Sequence, residues 1–239
     1  VPDIRRDTFR EFKIFVLLAG MAAYLHGQRL GSARALTEYL LKRGLWLVFL
    51  EVTVVRVAWT LQLGPAILLL QVIWAIGVSM ILLAGLVWLP RWAVVVLALT
   101  VIAGHNFFDG VHAEQLGSAR WVWALLHEEG GLEPLAGARW FVLYPLVPWV
   151  AVMAAGYALG PWALLPRAIR RGRFLALGVA LTVGFVLLRA SNLYGNPTPW
   201  TAEHGVVRAV LAFLDCNKYP PSLLYLAMTL GPACCALAG

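Results

Sequence analysis

A histidine, an amide and a carboxylate lie close together at the end of one apolar run of this chain. They are His105, Asn106 and Asp109, within Gly-His-Asn-Phe-Phe-Asp. Because His105 and Asp109 are four residues apart, they share one face of a helix that continues this far. A carboxylate beside an imidazole fixes its tautomer and raises its basicity, as a general base requires. The cluster is thus either a catalytic or substrate-binding site, or a polar helix end at the water interface.

Two later segments combine turn residues with polar and aromatic side chains. Residues 189–200 contain two prolines and a glycine, which fix the backbone. Amide and aromatic groups suit a sugar through hydrogen bonds and stacking, although Trp and Tyr are also common at membrane interfaces. Residues 217–222 read Asn-Lys-Tyr-Pro-Pro-Ser before the last apolar run, where a lysine either holds an anionic group or extends to lipid headgroups. The predicted substrate contacts here are Arg189, Asn192, Tyr194, Asn217, Lys218 and Tyr219.

Polar residues also occur inside apolar runs, where they are costly and mark functional sites by default. Glu51 and Arg56 lie in LVFLEVTVVRVAW. Five residues turn a helix by roughly 500°, so the two do not share a face and each takes a partner from another helix. They either form structural ion pairs or line a substrate cavity. Gln71, in LLLQVIWAIGVSM, either hydrogen-bonds between helices or contacts substrate.

The composition predicts that these groups belong to a membrane protein. Hydrophobic residues make up 61% of the 239 residues and charged residues only 13%, which is more apolar surface than a soluble domain needs. A helix needs roughly 20 mostly apolar residues to cross a bilayer. We predict an all-α fold, a polytopic transmembrane helix bundle that forms a single domain over residues 1–239. Its seven apolar runs are about 12–26, 44–63, 66–89, 91–108, 141–160, 174–191 and 222–239.

The fifth run carries two signals about helix shape. Pro145 and Pro148 kink or break a helix, and broken helices at membrane depth usually line cavities. Ala154, Gly156 and Gly160 form a stripe of small residues, which lets another helix approach closely. We therefore predict a broken helix with a closely packed neighbour.

The distribution of Lys and Arg predicts the orientation of the bundle. Basic residues concentrate in loops 27–43 and 161–173, and acidic residues in loop 109–140. Because Lys and Arg mark the cytoplasmic side, we place the two basic loops in the cytoplasm and loops 109–140 and 192–218 outside. The histidines predicted to be solvated in the outer loops are His112, His127 and His204.

The net charge and the cysteines indicate which ligands to expect. The formal charge of +7 follows from the loop bias, so we expect no nucleic-acid partner. Residues 167–173 either contact anionic lipid headgroups or mark topology alone. Cys216, Cys234 and Cys235 lack the spacing of metal or redox sites, so we predict no metal. The sequence leaves open whether the chain forms a homo-oligomer.

Six segments together carry a family resemblance, and their Gly-His-Asn and Asn-Lys-Tyr-Pro-Pro-Ser motifs are specific. They are KRGLWLVFLEVTVV (42–55), QVIWAIGVSMILLAGLVWLP (71–90), AGHNFFD (103–109), YPLVPWVAVMAAGYALG (144–160), LRASNLYGNPTPW (188–200) and FLDCNKYPPSLLYLAMTLGP (213–232). In this order they resemble a bacterial family of multi-pass membrane proteins related to the heparan-alpha-glucosaminide N-acetyltransferase catalytic region. The resemblance covers about residues 12–235.

The resemblance implies transmembrane acyl transfer from acetyl-CoA on the cytosolic face to a glucosamine amine on the far face. Among the residues present, His105 is the best candidate for the base, with Asp109 orienting it and Asn106 holding an amide or sugar oxygen. Family members usually begin with a further helix that carries an Asp-His pair, and continue for two or more helices beyond the segment matching 222–239. The chain is therefore expected to be a fragment, and the base is expected either at His105 or in that further helix.

Our leading hypothesis is a bacterial inner-membrane acyltransferase with an acyl-CoA donor and a sugar or glycolipid acceptor, in contact with membrane lipids. A transporter or flippase of a small polar or lipid-linked solute is the alternative, and it would use Glu51, Arg56 and the broken fifth run. An inactive, truncated family member is a third hypothesis.

Overall fold

The computed structural model describes residues 12–61, 67–133, 139–202 and 205–239. Most of these residues are helical, and the helices form an all-α bundle, as the composition predicts. The α-helices are α1 (Phe12–Leu30), α2 (Ala33–Leu50), α3 (Arg56–Thr60), α4 (Val72–Leu86), α5 (Arg91–Gly104), α6 (Arg120–Leu126), α7 (Leu146–Leu159), α8 (Arg167–Ser191), α9 (Val206–Leu214) and α10 (Leu223–Leu237). A π-helical segment, Glu51–Val55, joins α2 to α3. Short 3₁₀ segments are His105–Phe108, Ala113–Ala119 and Gly160–Leu164.

Several of the helices have the length and composition of membrane spans. Within the described ranges, three are long and apolar enough to cross a bilayer: Arg91–Phe108, Leu146–Leu164 and Arg167–Ser191. Three shorter apolar helices accompany them: Ile14–Leu30, Val72–Leu86 and Leu223–Leu237. The bundle is therefore that of a membrane protein, with its apolar residues directed both inward and toward lipid.

The boundaries of the second and third apolar runs differ from the prediction. The predicted loop 27–43 is only a tight turn, and the second helix already begins at Ala33. Gly31 takes a left-handed φ of +65° there, which glycine tolerates without strain. Ser32 then caps α2, because its Oγ accepts the Ala35 N–H at 3.4 Å. The charged residues of 33–43 thus lie on a helix instead of a loop.

The third run divides into a strand and a helix. Residues Ile67–Leu70 form β1, which pairs in parallel with β3 (Arg139–Val142). In turn, β3 pairs antiparallel with β2 (Gly130–Leu132), so the strand order is β1-β3-β2. Ile67 and the three leucines that follow it pair with β3, and helix α4 starts only at Val72. This small sheet was not predicted from the sequence.

The predicted break in the fifth run is wrong. Helix α7 begins at Leu146, with Pro145 as its N-cap residue and Pro148 within its first turn. Proline is tolerated at these positions, because the first N–H groups of a helix have no partner within the helix. The two prolines therefore start α7 without interrupting it.

Close approach of the helices follows from glycine. A Cβ atom on Gly156 of α7 would collide with the backbone of Leu17 in α1. Likewise, a Cβ on Gly178 of α8 would lie 2.5 Å from Cys235 Sγ in α10. The small-residue stripe predicted in the fifth run is thus confirmed as a helix-packing surface.

Basic residues gather at one end of the bundle, here called the basic end. The α1–α2, α4–α5 and α7–α8 connections all lie there. Thr37 Oγ1 donates to the Ala84 carbonyl at 3.1 Å and accepts from Trp88 Nε1 at 3.0 Å, which ties α2 to the end of α4. The opposite end, here called the sheet end, holds the three strands and the starts of α4, α7 and α10. The arginines of the basic end are Arg29, Arg34, Arg91, Arg167, Arg170, Arg171 and Arg173.

Candidate functional site

His105 lies at the sheet end, in the first position after α5. Its side chain is buried, and Nε2 lies 2.8 Å from the carbonyl oxygen of Pro221. Nδ1 lies 3.1 Å from the carbonyl of Val101 and 3.0 Å from that of Ile102. Both ring nitrogens therefore face acceptors, whereas a neutral imidazole carries only one N–H. In this arrangement His105 connects the end of α5 to the start of α10.

The predicted pairing of Asp109 with His105 is corrected by the structure. Asp109 Oδ1 lies 3.3 Å from His127 Nε2, and Oδ2 accepts a hydrogen bond of 2.8 Å from Asn106 Nδ2. The reason is local: the chain changes from α to 3₁₀ geometry at His105. In a 3₁₀ segment, residues three apart are stacked, so the four-residue spacing no longer places two side chains together. The carboxylate instead lies at ion-pair distance from His127, without the geometry of a hydrogen bond to Nε2.

His127 is a candidate functional residue that the sequence interpretation missed. We expected it to be solvated in an outer loop, but it is only 5% exposed. Its ring packs on Trp123 at 5.0 Å and on Phe108 at 6.5 Å, and lies 6.2 Å from the ring of His105. The sequence signal for this burial is the apolar segment directly before His127, Arg120–Leu126.

A second histidine pair holds the loop that carries His127. His112 Nδ1 lies 3.2 Å from Glu128 Oε1, and Glu128 Oε2 accepts the Ala113 N–H at 2.7 Å. The His112 side chain is 58% exposed, as predicted. The two pairs thus have the same chemistry in opposite surroundings, one at the surface and one buried. His204 lies outside the described residues.

Asn106 connects the cluster to α10. Its Oδ1 accepts the Leu223 N–H at 2.8 Å, while its Nδ2 donates to Asp109. Asn106 therefore satisfies the first turn of α10 and positions the carboxylate at the same time. We call His105, Asn106, Asp109 and His127 the polar cluster.

The arginine predicted to contact substrate is instead bound to backbone. Arg189 is 2% exposed, and its guanidinium donates four hydrogen bonds of 2.7–3.1 Å. The acceptors are the carbonyls of Phe213, Thr198, Ala212 and Asp215. Arg189 thereby binds the C-terminal turn of α9, whose last carbonyls lack helical partners.

The amides of the same segment also hold the fold. Asn192 pairs with the backbone of Trp200 through two hydrogen bonds of 2.9 Å. Tyr194 donates its hydroxyl to the Ala103 carbonyl at 2.6 Å and stacks on Phe107 at 4.7 Å. These contacts connect the segment to the end of α5, next to His105.

The residues of the Asn-Lys-Tyr-Pro-Pro-Ser segment lie at the same end. Asn217 Nδ2 donates to the carbonyls of Tyr219 and Pro220 at 3.2 and 3.1 Å. The Tyr219 hydroxyl lies 3.1 Å from that of Tyr144, and Lys218 Nζ lies 4.9 Å from the Tyr219 ring centre. Burial and the neighbouring Tyr219 hydroxyl raise the pKa of Tyr144.

The polar residues of the second and third runs form a separate group. Glu51 is completely buried, and its Oε1 accepts the backbone N–H of Gln71 at 3.1 Å. Arg56 follows the π-helical segment as the first residue of α3. As predicted, Glu51 has a partner from another helix, but that partner is the start of α4. Among the described residues, no three His, Cys, Asp or Glu side chains are placed to hold a metal ion.

Comparisons with known proteins give one match. The family model described as "Heparan-alpha-glucosaminide N-acetyltransferase, catalytic" matches residues 8–189. The matched range includes the whole polar cluster, while residues 190–239 lie beyond it. No curated protein and no solved structure matches the chain.

Proposed function

Because the chain belongs to the heparan-alpha-glucosaminide N-acetyltransferase catalytic family, we propose that it transfers an acyl group from acyl-CoA to the amine of a sugar. The observation that supports this activity best is the contact between buried His127 and partly buried Asp109, 3.3 Å apart, at the sheet end of the bundle. Nucleophilic attack by an amine needs a base, and an imidazole oriented by a carboxylate is the usual one.

The reaction can be written with these groups. The amine nitrogen attacks the carbonyl carbon of the thioester, and its proton passes to His127. In this proposal Nε2, which lies 3.3 Å from Asp109 Oδ1, carries the imidazole N–H, and Nδ1 has the lone pair that accepts this proton. The C–S bond then breaks, and the CoA thiolate leaves and takes the proton from the imidazolium. Asp109 stabilises the imidazolium while it exists, and the products are an amide and free CoA.

In this proposal, His105 and Asn106 position the base. His105 joins α5 to Pro221, and Asn106 holds Asp109. The assignment of His105 as the base, made from spacing, stays a prediction to be compared with that of His127. The proposed acceptor contacts are residues that also lie at the sheet end of the bundle: Tyr194, Asn217, Lys218 and Tyr219.

The donor would bind at the opposite end. The arginines of the basic end suit the phosphates of CoA. By the positive-inside rule, that end would face the cytoplasm, on the inner side of a bacterial inner membrane. A cavity of about 280 Å³ between α4, α5 and α7 has Leu86 near the basic end and Leu126, the neighbour of His127, among its lining residues. This cavity would carry the thioester arm to the polar cluster. The acceptor would then react on the outer side.

The test is acyl transfer by the purified protein in lipid nanodiscs. Labelled acetyl-CoA is supplied with either glucosamine or an alkyl glucosaminide as acceptor, and both thiol release and label on the sugar are followed. We expect His127→Gln and Asp109→Asn to lower kcat by about 10²-fold or more. His112→Gln is the matched control, because it breaks the exposed histidine–carboxylate pair and should leave kcat within about twofold.

Two results would overturn the proposal. If the wild-type protein releases no CoA from a range of acyl donors, the activity is wrong. If His127→Gln retains the rate of His112→Gln, the activity stands but the base is another residue. The predicted break in α7, which favoured a transporter, is not found, so no observation favours that alternative.

A further inference from the structure

A second cavity lies on the other side of α5. It has a volume of about 320 Å³ and is enclosed by α5, α7, α8 and α10. Its walls are mostly apolar, from residues such as Val95, Leu99 and Leu226, and among the described residues Arg91 is the one charged residue that lines it. We call this cavity the lateral groove. Along α5 it extends over twelve residues, from Arg91 to Ile102, a rise of roughly 16 Å.

At the sheet end of the bundle, the lateral groove reaches the polar cluster. Ile102 and Leu223 line the groove there. The Ile102 carbonyl lies 3.0 Å from His105 Nδ1, and the Leu223 N–H donates to Asn106 Oδ1 at 2.8 Å. A molecule that fills the groove therefore ends beside the polar cluster, where the proposed chemistry takes place.

The groove is also open toward the lipid. Val95 is 36% exposed and Leu99 is 59% exposed, although both line the cavity. The lipid tails that surround transmembrane helices are as apolar as the wall of the groove. A hydrocarbon chain can therefore move sideways from the bilayer into the groove. A free sugar has no such route, because its hydroxyl groups would lose hydrogen bonds along carbon walls.

We propose that the lateral groove holds the hydrocarbon tail of the acceptor, which is therefore a lipid-linked amino sugar and not a free one. This inference rests on the proposed acyl transfer and names its acceptor class. The tail lies between α5 and α10, and the sugar amine projects past Ile102 to His127. Anchoring the tail converts the meeting of amine and base into an oriented, nearly intramolecular encounter.

A pair of neighbouring substitutions tests the groove. Val95→Trp fills it from its open side, whereas Val96→Trp places the same ring one residue away, at a position that is 54% exposed and outside both cavities. The acceptors are glucosamine and dodecyl β-glucosaminide, both supplied to the protein in nanodiscs. We expect kcat/KM for the dodecyl acceptor to be about tenfold lower in Val95→Trp than in Val96→Trp. The dodecyl acceptor concentrates in the membrane equally for both variants, so comparing the two variants cancels this effect on kcat/KM.

A binding measurement makes the test independent of turnover. A dodecyl glucosaminide with a diazirine in its chain is photolysed with each variant, and the labelled peptides are mapped. We expect label on α5 and α10 in the wild type and in Val96→Trp, and a clear loss in Val95→Trp. Equal labelling of both variants would overturn the inference.

The kinetic outcomes separate this inference from the proposed function. If glucosamine and its dodecyl form are acylated equally well and the two variants agree, the groove inference is wrong and acyl transfer stands. If Val95→Trp raises KM for acyl-CoA and not for the dodecyl acceptor, the groove carries the donor, and the inference is again wrong. If no acceptor is acylated, the proposed function fails, and photolabelling alone decides whether the groove binds a lipid tail.

Discussion

Glu51 and Gln71 are joined across two helices by a hydrogen bond of 3.1 Å, from the Gln71 backbone N–H to the Glu51 carboxylate. The carboxylate thus lies at the N-terminus of α4, where unpaired N–H groups and a partial positive charge favour an anion. The π-helical segment begins at Glu51 itself. A structural contact therefore accounts for the acidic residue in the second apolar run.

We predict that Glu51→Ala lowers the free energy of unfolding by about 1–3 kcal/mol, because the buried N–H at the start of α4 loses its acceptor. Glu51→Gln should lose less, since its amide oxygen can still accept. Both are measured by unfolding in detergent, with Glu38→Ala as the control: its exposed pair with Arg34 should change stability by less than about 1 kcal/mol. Full stability of Glu51→Ala would contradict the capping role.

Arg189→Lys should be nearly as destabilising as Arg189→Ala. Four carbonyl oxygens converge on the planar guanidinium, and an ammonium cannot reach all of them. We expect a loss on the order of 3 kcal/mol in thermal or denaturant unfolding. The exposed Arg208→Lys serves as the control. If Arg189→Lys instead raises KM for the acceptor at unchanged stability, the sequence-based assignment of Arg189 to substrate binding is right.

Gly156→Ala and Gly184→Ala should change stability in opposite directions. The added methyl on Gly156 meets the backbone of Leu17, whereas the one on Gly184 has open space around it. We expect Gly156→Ala to cost about 1–3 kcal/mol through overpacking and Gly184→Ala to gain up to about 1 kcal/mol. Thermal unfolding in nanodiscs measures both. Equal effects would mean that α1 and α7 adjust without cost.

The all-α class could be predicted from the sequence, because an apolar run long enough to span a bilayer must satisfy its own backbone hydrogen bonds, and a helix does so. It also placed α5, α7 and α10 nearly correctly, whereas α8 begins at Arg167, seven residues before the predicted start and within the predicted loop 161–173. The strand at Ile67–Leu70 was missed, since a short run of leucine and isoleucine has no periodicity that separates strand from buried helix. The effect of Pro148 was misjudged because it depends on where α7 begins.

The candidate site was predicted in part. His105, Asn106 and Asp109 do lie together, but the residue that completes the pair is His127, 18 residues after Asp109. No local spacing rule joins two residues that meet only when α6 folds back onto the end of α5. The same limit applies to Arg189, because its burial depends on packing against α9, which begins 17 residues further along the chain.

The division of roles between the two histidines leads to a last prediction. His105 faces carbonyl oxygens on both sides, so His105→Ala should lower the unfolding midpoint as well as kcat, by releasing the start of α10 from α5. His105→Gln keeps an N–H donor toward Pro221 and should restore part of both. His127→Gln should lower kcat by about 10²-fold or more at a nearly unchanged unfolding midpoint. Unfolding midpoints and kcat are measured on the same preparations, and a fully stable but inactive His105→Gln would assign the base to His105, because only a proton acceptor is lost in that case.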